Sequence, residues 1–576
     1  MSKLSYKSFF APFILFINIY DIIQRAKEME TFLQFIAIAW SYSTFLLFIV
    51  VFIILHQRKK TKFFHDVGVE CEPTWPIVGA FPTIHRQGIL EHDIFAINQY
   101  GAVHGSYLGN IPTLVVADPV FIREILVRQS SNFPYRMQAL YISKWWQNGV
   151  VIASGEHWRY LRSLISPSFS SGKLREMQPR LLKCINVLTD CLYEKTGNAG
   201  EVECDLRTIL GALTMDIICS TSFGIEMETL KNMESEFTKH AKVVSTLNIE
   251  SNPVNALPLI IPSIRHVFEF LDLDYVNKTS LNYVRNAVAE MIAYRKTQTE
   301  THFKDTLHNL MNAHKGQKKL DVNGNIANVS ETGKFDSRTA QTNTGHSRSE
   351  TFPKNLKDFQ HFKEKGLTDD ELAANALIIL MAGYDTTATT LTWMCYLLAM
   401  NPNIQDTLVG EIDNTIGTDD PDYECAMKLE YLDWFLCETL RLYPAANRTG
   451  RDACVDTSVC GCKIPKGLSV TVPIFALHRM PKYWSEPEKC IPERFSPANR
   501  NNINPYVYIP FGVGPRACVG IRMAQLMCKI VMVKILQHFR LESCDRTENP
   551  PLLEKSLLTK PVNGMFLKLV SRDSRR

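Results

Sequence analysis

The 576-residue sequence predicts a mainly α-helical protein with small β-sheets, an α+β class, in which one large domain follows an N-terminal transmembrane helix. Three observations predict this. Helical period dominates from about Leu90 to His314 and resumes at Thr368, and strand-like character appears around Cys460–Cys462 and at Val507–Pro510. An uncharged stretch near the amino terminus is long enough to cross a bilayer. Hydrophobic content of 45% and charged content of 21% are those of a globular protein, and a net charge of +4 is too small to imply a nucleic-acid partner. The 15 cysteines are scattered and odd in number, as expected of reduced thiols facing the cytosol.

Residues 1–62 read as a membrane anchor with its basic flank. From Phe32 to Leu55 no residue is charged, and Arg58, Lys59, Lys60 and Lys62 follow, which places the carboxyl side in the cytosol. The earlier apolar stretch Phe9–Tyr20 contains Pro12 and Asn18 and fits an interfacial or re-entrant piece. Residues 63–89 read as a stiff connector carrying Pro73, Pro76, Gly79 and Pro82. The domain proper then spans 90–576. It is mostly helical to His314, apart from the proline-broken apolar run Asn252–Ile264, which has the character of a membrane- or substrate-facing segment. Gly316–Pro353 is polar and without hydrophobic period, a surface insert. Thr368 and Glu371 form a capping box that opens a long, nearly all-apolar and therefore buried helix.

Inside that helix lies Ala382–Thr387, "AGYDTT", which local propensity disfavours. Its threonines can bond back to carbonyls and bend the helix, or Asp385 and Thr386 can act as an acid and an alcohol relaying protons to a ligand. "ETLR" places Glu438 and Arg441 at i, i+3, and Arg494 of "PERF" supplies a second guanidinium, giving a structural cluster that is tolerable in a core only if fully hydrogen-bonded.

The decapeptide "FGVGPRACVG", Phe511–Gly520, admits two readings. Preceded by the strand-like Val507–Pro510 and followed by an apolar helix, it matches the G-x-G-x-x-A form of a dinucleotide turn. Pro515 removes an amide donor there, however, and too little chain follows to complete a doubly wound fold. In the alternative, Gly512, Gly514 and Gly520 turn the backbone close to a flat ligand and Cys518 supplies a thiolate near a helix start. Phe511 shields the sulfur, and Arg516 pairs an anionic group. One thiolate with open space opposite suits haem iron better than zinc, which takes three or four protein ligands. Cys460 and Cys462 have poor zinc spacing and sit in a strand-turn context.

Together, "FGVGPRACVG", "ETLR", "PERF" and "AGYDTT", in this order and spacing, resemble the haem-thiolate monooxygenases, the cytochromes P450, from about Pro73 to the carboxyl end. The anchor is similar to those of microsomal members. "GEHWRYLRSLISPSFSSGKLREM" and "NGMFLKLVS" further resemble the branch holding drug- and steroid-oxidising enzymes and thromboxane synthase. The resemblance implies haem b held by Cys518 as axial thiolate, with Arg136, Trp158, Arg162, Arg451 and Arg516 as propionate partners and Phe511 and Gly520 beside the ring. It implies Asp385 and Thr386 as the catalytic acid and alcohol, and Glu438, Arg441 and Arg494 as structural support.

The implied activity is insertion of one atom of O2 into a lipophilic substrate. The chain shows no nucleotide or flavin fingerprint of its own, so NADPH electrons arrive through NADPH–cytochrome P450 reductase, with cytochrome b5 as a further donor; Arg159 and Lys529 are candidate basic contacts for such a partner. The implied location is the endoplasmic reticulum membrane, catalytic domain cytosolic. Two other functions are compatible with the sequence: endoperoxide isomerisation of the thromboxane-synthase kind, and membrane haem binding without turnover. Thromboxane synthase lacks the alcohol that Thr386 supplies here, and a binder needs neither thiolate nor proton relay. Expected pocket segments are Met137–Val150, Leu247–Ile261, Leu377–Thr386, Ala445–Thr449 and Val472–Ala476.

Overall fold

The structure is a computed structural model that describes residues 40, 44–48, 50–136, 144–233, 235–245, 257–271, 273, 276–297, 305–314, 362 and 365–572. The chain forms two compact units, Met1–Asp66 and Val67–Arg576. In the first, residues 50–66 are helical and Phe45, Leu46, Leu47, Phe48, Phe52 and Leu55 are exposed. The expected span Phe32–Leu55 lies partly outside the described residues, and Phe9–Tyr20 and Gly316–Pro353 lie wholly outside them.

Eight principal helices build the second unit: α1 Ile89–Tyr100, α2 Gly155–Ile165, α3 Ser171–Thr196, α4 Leu206–Phe223, α5 Lys278–Thr297, α6 Asp369–Met400, α7 Glu430–Leu442 and α8 Ile521–His538. Helices α4 and α6 are apolar nearly all round, so each must be surrounded; they pack along one another, and α3, α7 and α8 enclose them. Helix α4 is the one described helix long and apolar enough to cross a membrane, yet it is almost entirely buried in this core. Helix α6 opens with the expected capping box: Thr368 Oγ1 accepts from the Glu371 amide at 3.2 Å and Glu371 Oε2 accepts from the Thr368 amide at 2.7 Å. Gly383 costs helix propensity, but a Cβ there would lie 2.5 Å from Ile218 Cδ1. The glycine lets α4 and α6 touch.

A four-stranded sheet has the order β1-β2-β7-β4, formed by Val103–Leu108, Ile111–Val116, Ser469–Val472 and Thr449–Asp452. Strands β2 and β7 run parallel and the other neighbours antiparallel. A three-stranded antiparallel sheet joins β3 (Glu201–Asp205), β9 (Phe566–Ser571) and β8 (Phe539–Glu542). Thr457–Val459 (β5) and Cys462–Ile464 (β6) form a hairpin turning through Cys460, the structural setting expected for Cys460 and Cys462.

Three features depart from the sequence reading. Strands β1, β2 and β3 interrupt the stretch read as helical, because their alternation is short and lies between longer helical signals. Connector residues join the compact unit: Phe81–Gln87 is helical with proline in its first turn, and Gly79 bridges Leu108. Val507–Pro510 is not a strand. Its buried apolar side chains produced the strand-like pattern, whereas the Ile509 amide donates to His478 Nε2 at 3.0 Å rather than to a neighbouring strand. The strand that a dinucleotide turn requires is therefore absent among the described residues.

The ETLR–PERF cluster forms as expected. Glu438 and Arg441 are fully buried and doubly bonded, at 2.7 and 2.8 Å, and Glu438 also accepts from Arg494 Nε at 3.3 Å and from the Ile491 amide at 2.9 Å. The remaining Arg441 donors reach the carbonyls of His478, Pro487 and Lys489. Breaking such a pair strands a buried charge, at about 3–5 kcal/mol. Glu438→Ala is expected to cost that amount in urea unfolding of the full chain; a loss below about 1 kcal/mol would show that the cluster is not under this constraint.

Candidate active site

One large cavity of about 630 Å³ lies inside the second unit, and Cys518 lines it. The loop carrying this residue is shaped by two glycines. Gly512 has φ +70, and Gly514 has φ +80 with its Cα pressed against the Leu126 carbonyl, where a Cβ would collide. The Cys518 amide donates to Phe511 O at 2.9 Å, closing the loop on itself. Gly520 lines the cavity with φ −92, so its role is to leave space there rather than to supply a left-handed turn. The Cys518 side chain is accessible although the residue is deep in the protein, because it faces the cavity. Burial pushes its thiol up, while the Gly520 amide and the Arg162 and Arg136 guanidiniums oppose that shift without overcoming it. The sequence expectation of a favoured thiolate thus requires a bound cation to take the place of the proton.

Around the same cavity stand Arg136, Arg162, Arg451 and Arg516, none with an ion-paired carboxylate among the described residues. Burial lowers all four, opposed at Arg162 by Cys518, and mutual repulsion adds to it in the other three: Arg136 falls to about 10 and Arg516 to about 9, and Arg451 well below the usual guanidinium range. Their protein partners are mostly carbonyls: Arg136 Nη2 donates to Arg516 O at 2.5 Å, Arg516 Nη2 to Ala153 O at 2.7 Å, and Arg451 Nη1 to Gly450 O at 2.6 Å and to the Thr449 hydroxyl at 3.3 Å. Arg136 Nε and Arg516 Nη1 are buried with no partner among the described residues. Arg516 lies over the Trp158 ring at 4.5 Å, and Phe511 borders the cavity.

A flat ligand with two carboxylates and a thiolate-binding metal satisfies this arrangement: orphaned guanidinium donors meet anions, and the cysteine meets a cation. The residues therefore fit haem. Cys518 would hold the iron, and Arg136, Trp158, Arg162, Arg451 and Arg516 would hold the propionate side. No cluster of three His, Cys, Asp or Glu side chains placed to hold a metal occurs among the described residues.

Thr386 also lines the cavity, and its Oγ1 donates to Ala382 O at 2.6 Å. Thr389, Thr390 and Thr392 make the same backward bonds, yet helix α6 remains continuous through the AGYDTT stretch. Asp385 does not line the cavity. Successive helix residues point about 100° apart, so Asp385 turns away, where it pairs with Arg207 and, at 2.5 Å, with Lys560. Burial alone would raise its carboxyl; the two cations outweigh burial and hold it below the usual carboxylate range. The adjoining acid–alcohol pair expected from sequence is thus split between two faces.

Several pocket expectations fall on the cavity: Val150, Ile378, Ile379, Ala382, Ala445, Arg448, Thr449 and Ile474 line it. Residues 137–143 and 247–256 of the expected segments lie outside the described residues. Sequence reasoning missed the wall built by α1, β1 and β2, with His92, Asp93, His104 and Ser106; the period-2 pattern of β1 was the available signal. Lys529, expected on a basic docking face, is 1% exposed and bonded to Asp433 at 3.0 Å, so it cannot meet a partner. Arg159 is paired with Glu156.

The Cytochrome P450 family profile matches residues 69–568. Cytochrome P450 3A41 of Mus musculus is 32% identical over 539 residues, covering 93% of this chain and 98% of that protein. Cytochrome P450 3A13 of the same species is 33% identical, covering 91% and 95%. Lithocholate 6-beta-hydroxylase of Mesocricetus auratus is 33% identical, covering 88% and 92%. The chain belongs to the cytochrome P450 family. It is a haem-dependent oxidoreductase of the monooxygenase type.

Charge-assisted hydrogen bonds are worth roughly 1.5–3 kcal/mol, or about tenfold and more in affinity. Arg451→Met and Arg516→Met are each expected to speed haem loss to excess apomyoglobin about tenfold. Unchanged transfer rates in both would remove the guanidiniums from the haem-holding role.

Proposed function

We propose that this protein inserts one oxygen atom of O2 into a lipophilic substrate with NADPH electrons delivered by a separate reductase. The observation carrying this reading is the joint placement of Cys518 and the Thr386 side chain on one largely apolar cavity. Haem held there supplies the redox chemistry that activates dioxygen. The chain contributes the rest. Ile218, Ile378, Ile379, Met523 and Met527 give the cavity an apolar lining that excludes water and admits a lipophile. Thr386 Oγ1 donates to Ala382 O and keeps lone pairs for a water or ligand proton at the cavity wall. Asp385, clamped by Arg207 and Lys560, serves from behind by fixing this turn of α6 against α4.

We place the protein at the endoplasmic reticulum membrane with the catalytic domain in the cytosol. The basic run after the apolar span supports that orientation. Within the second unit, Ile261, Val267, Leu271 and Phe270, the last 88% exposed, form an apolar surface suited to a bilayer. Asn110 fastens this segment to the β1–β2 turn by bonds to Leu259 O and Ile260 O, at 2.8 and 2.6 Å.

The test is NADPH consumption and product formation by the full-length protein with added reductase. General acid–base groups contribute on the order of a hundredfold, and Thr386→Ala is expected to lower product formed per NADPH consumed toward that extent. Conversion of an endoperoxide without reductase, with no NADPH-dependent product from any lipophile, would replace this reading with isomerisation.

A further inference from the structure

The helix at the carboxyl end of the apolar span has a face that spanning alone does not account for. Residues 50–66 of the first unit are helical, and a groove on this helix is lined by Ile53, Ile54, Arg58, Thr61, Lys62 and His65. Ile54, Arg58 and Lys62 recur every four residues, as do Thr61 and His65, so they share one face. The face is apolar at its membrane end and cationic beyond it. Lys60 and Phe64 lie on another face and are buried, whereas Lys59 is exposed but does not line the groove.

The two cations of this face are uncommitted. Arg58 and Lys62 are exposed and form no ion pair among the described residues, and Asp66, the acid next along the helix, lies 4.0 Å from His65 instead. Elsewhere exposed cations take a carboxylate one helical turn away, as Arg128 takes Glu124, Lys173 takes Glu176 and Lys231 takes Glu228. Their height above the bilayer is set by helix geometry. Counting from Leu55 at the end of the apolar span, Arg58 stands about 5 Å and Lys62 about 10 Å further along the axis, while the interfacial layer is roughly 5–8 Å deep on each side. Helical side chains lean toward the amino terminus, so Lys62 reaches back toward that layer. Both cations meet the bilayer at the level of its phosphates.

The chemistry of the face narrows its ligand. A headgroup that carries its own ammonium brings a cation to a site that already holds two. A phosphomonoester instead carries close to two negative charges and three strong acceptor oxygens, which suit a guanidinium fork and an ammonium one turn apart. The isoleucines on the same face add a requirement for hydrocarbon, which a free phosphate lacks. We propose that this face is a binding site for phosphatidic acid in the cytosolic leaflet, Arg58 and Lys62 holding the phosphomonoester while Ile53 and Ile54 lie along an acyl chain. The inference rests on the membrane orientation proposed above and adds a lipid preference to it.

Native mass spectrometry of the haem-loaded full chain tests it, the protein being released from neutral detergent micelles doped with dioleoyl phosphatidic acid, phosphatidylserine or phosphatidylcholine. Retained lipid is counted directly. Phosphatidic acid is expected to be retained about tenfold over phosphatidylcholine and about fivefold over phosphatidylserine. Arg58→Gln and Lys62→Gln, which keep a good helix former, are each expected to lower its retention about fivefold, and Lys59→Gln by less than about twofold. Equal retention of phosphatidic acid and phosphatidylserine by the unmutated protein overturns the proposal. An equal loss in Lys59→Gln also overturns it, because the flank would then act as diffuse charge without a site. Alkaline extraction of membranes carrying the full chain keeps this failure apart from that of the anchor. A chain that stays with the membranes but shows no lipid preference sinks the site alone, whereas release of the unmutated chain sinks the membrane span.

Discussion

Four guanidiniums gathered on one internal cavity set the terms for the rest of this protein. Buried charge is expensive, and like charges raise the cost further, which is why Arg136, Arg451 and Arg516 are pushed below the usual guanidinium range. The described protein offers them carbonyl oxygens, with the Thr449 hydroxyl for Arg451, and no ion-paired carboxylate. Elsewhere the same chain gives its buried arginines carboxylates: Arg441 has Glu438, Arg295 has Asp305, Arg448 has Asp93 and Arg479 has Glu488. The contrast suits a cavity that would receive an anionic ligand, and Cys518 on the same cavity is the residue that would hold the metal of a bound haem.

The architecture serves that requirement. Helices α4 and α6 meet without an intervening side chain at Gly383, which leaves Ile218 and Thr386 on one cavity lining. The Cys518 loop is held by Gly514 against Leu126 and runs directly into α8, whose apolar length is buried in the core. The Glu438–Arg441–Arg494 cluster fixes α7 to the segments around residues 487–494 with every Arg441 donor used. Rigid support beneath a preorganised site is what a bound cofactor needs to be oriented rather than merely retained.

Much of this was legible in the sequence, for identifiable reasons. The Cys518 loop, the capping box at Thr368 and the ETLR–PERF cluster are local or strongly typed: glycine spacing, a four-residue cap, and charges that a core tolerates only in pairs. What escaped depends on direction and on distant contacts. Asp385 and Thr386 are adjacent in sequence, yet the helix sends them to opposite environments, and the cations that hold Asp385 come from positions 207 and 560. Lys529 reads as surface charge until Asp433 is brought beside it by α7. The cavity wall of β1, β2 and β7 was hidden because its strands are short, and because alternation alone does not say whether a face meets water, the core or a cavity.

The account turns on sulfur-to-iron ligation by Cys518, and the most direct measurement is the absorption spectrum of the reduced, haem-loaded full chain under carbon monoxide. A strongly red-shifted Soret maximum is predicted, with Cys518→His losing that maximum while haem remains bound. A Soret maximum at the position of an imidazole-ligated carbonyl in the unmutated, folded protein would contradict it.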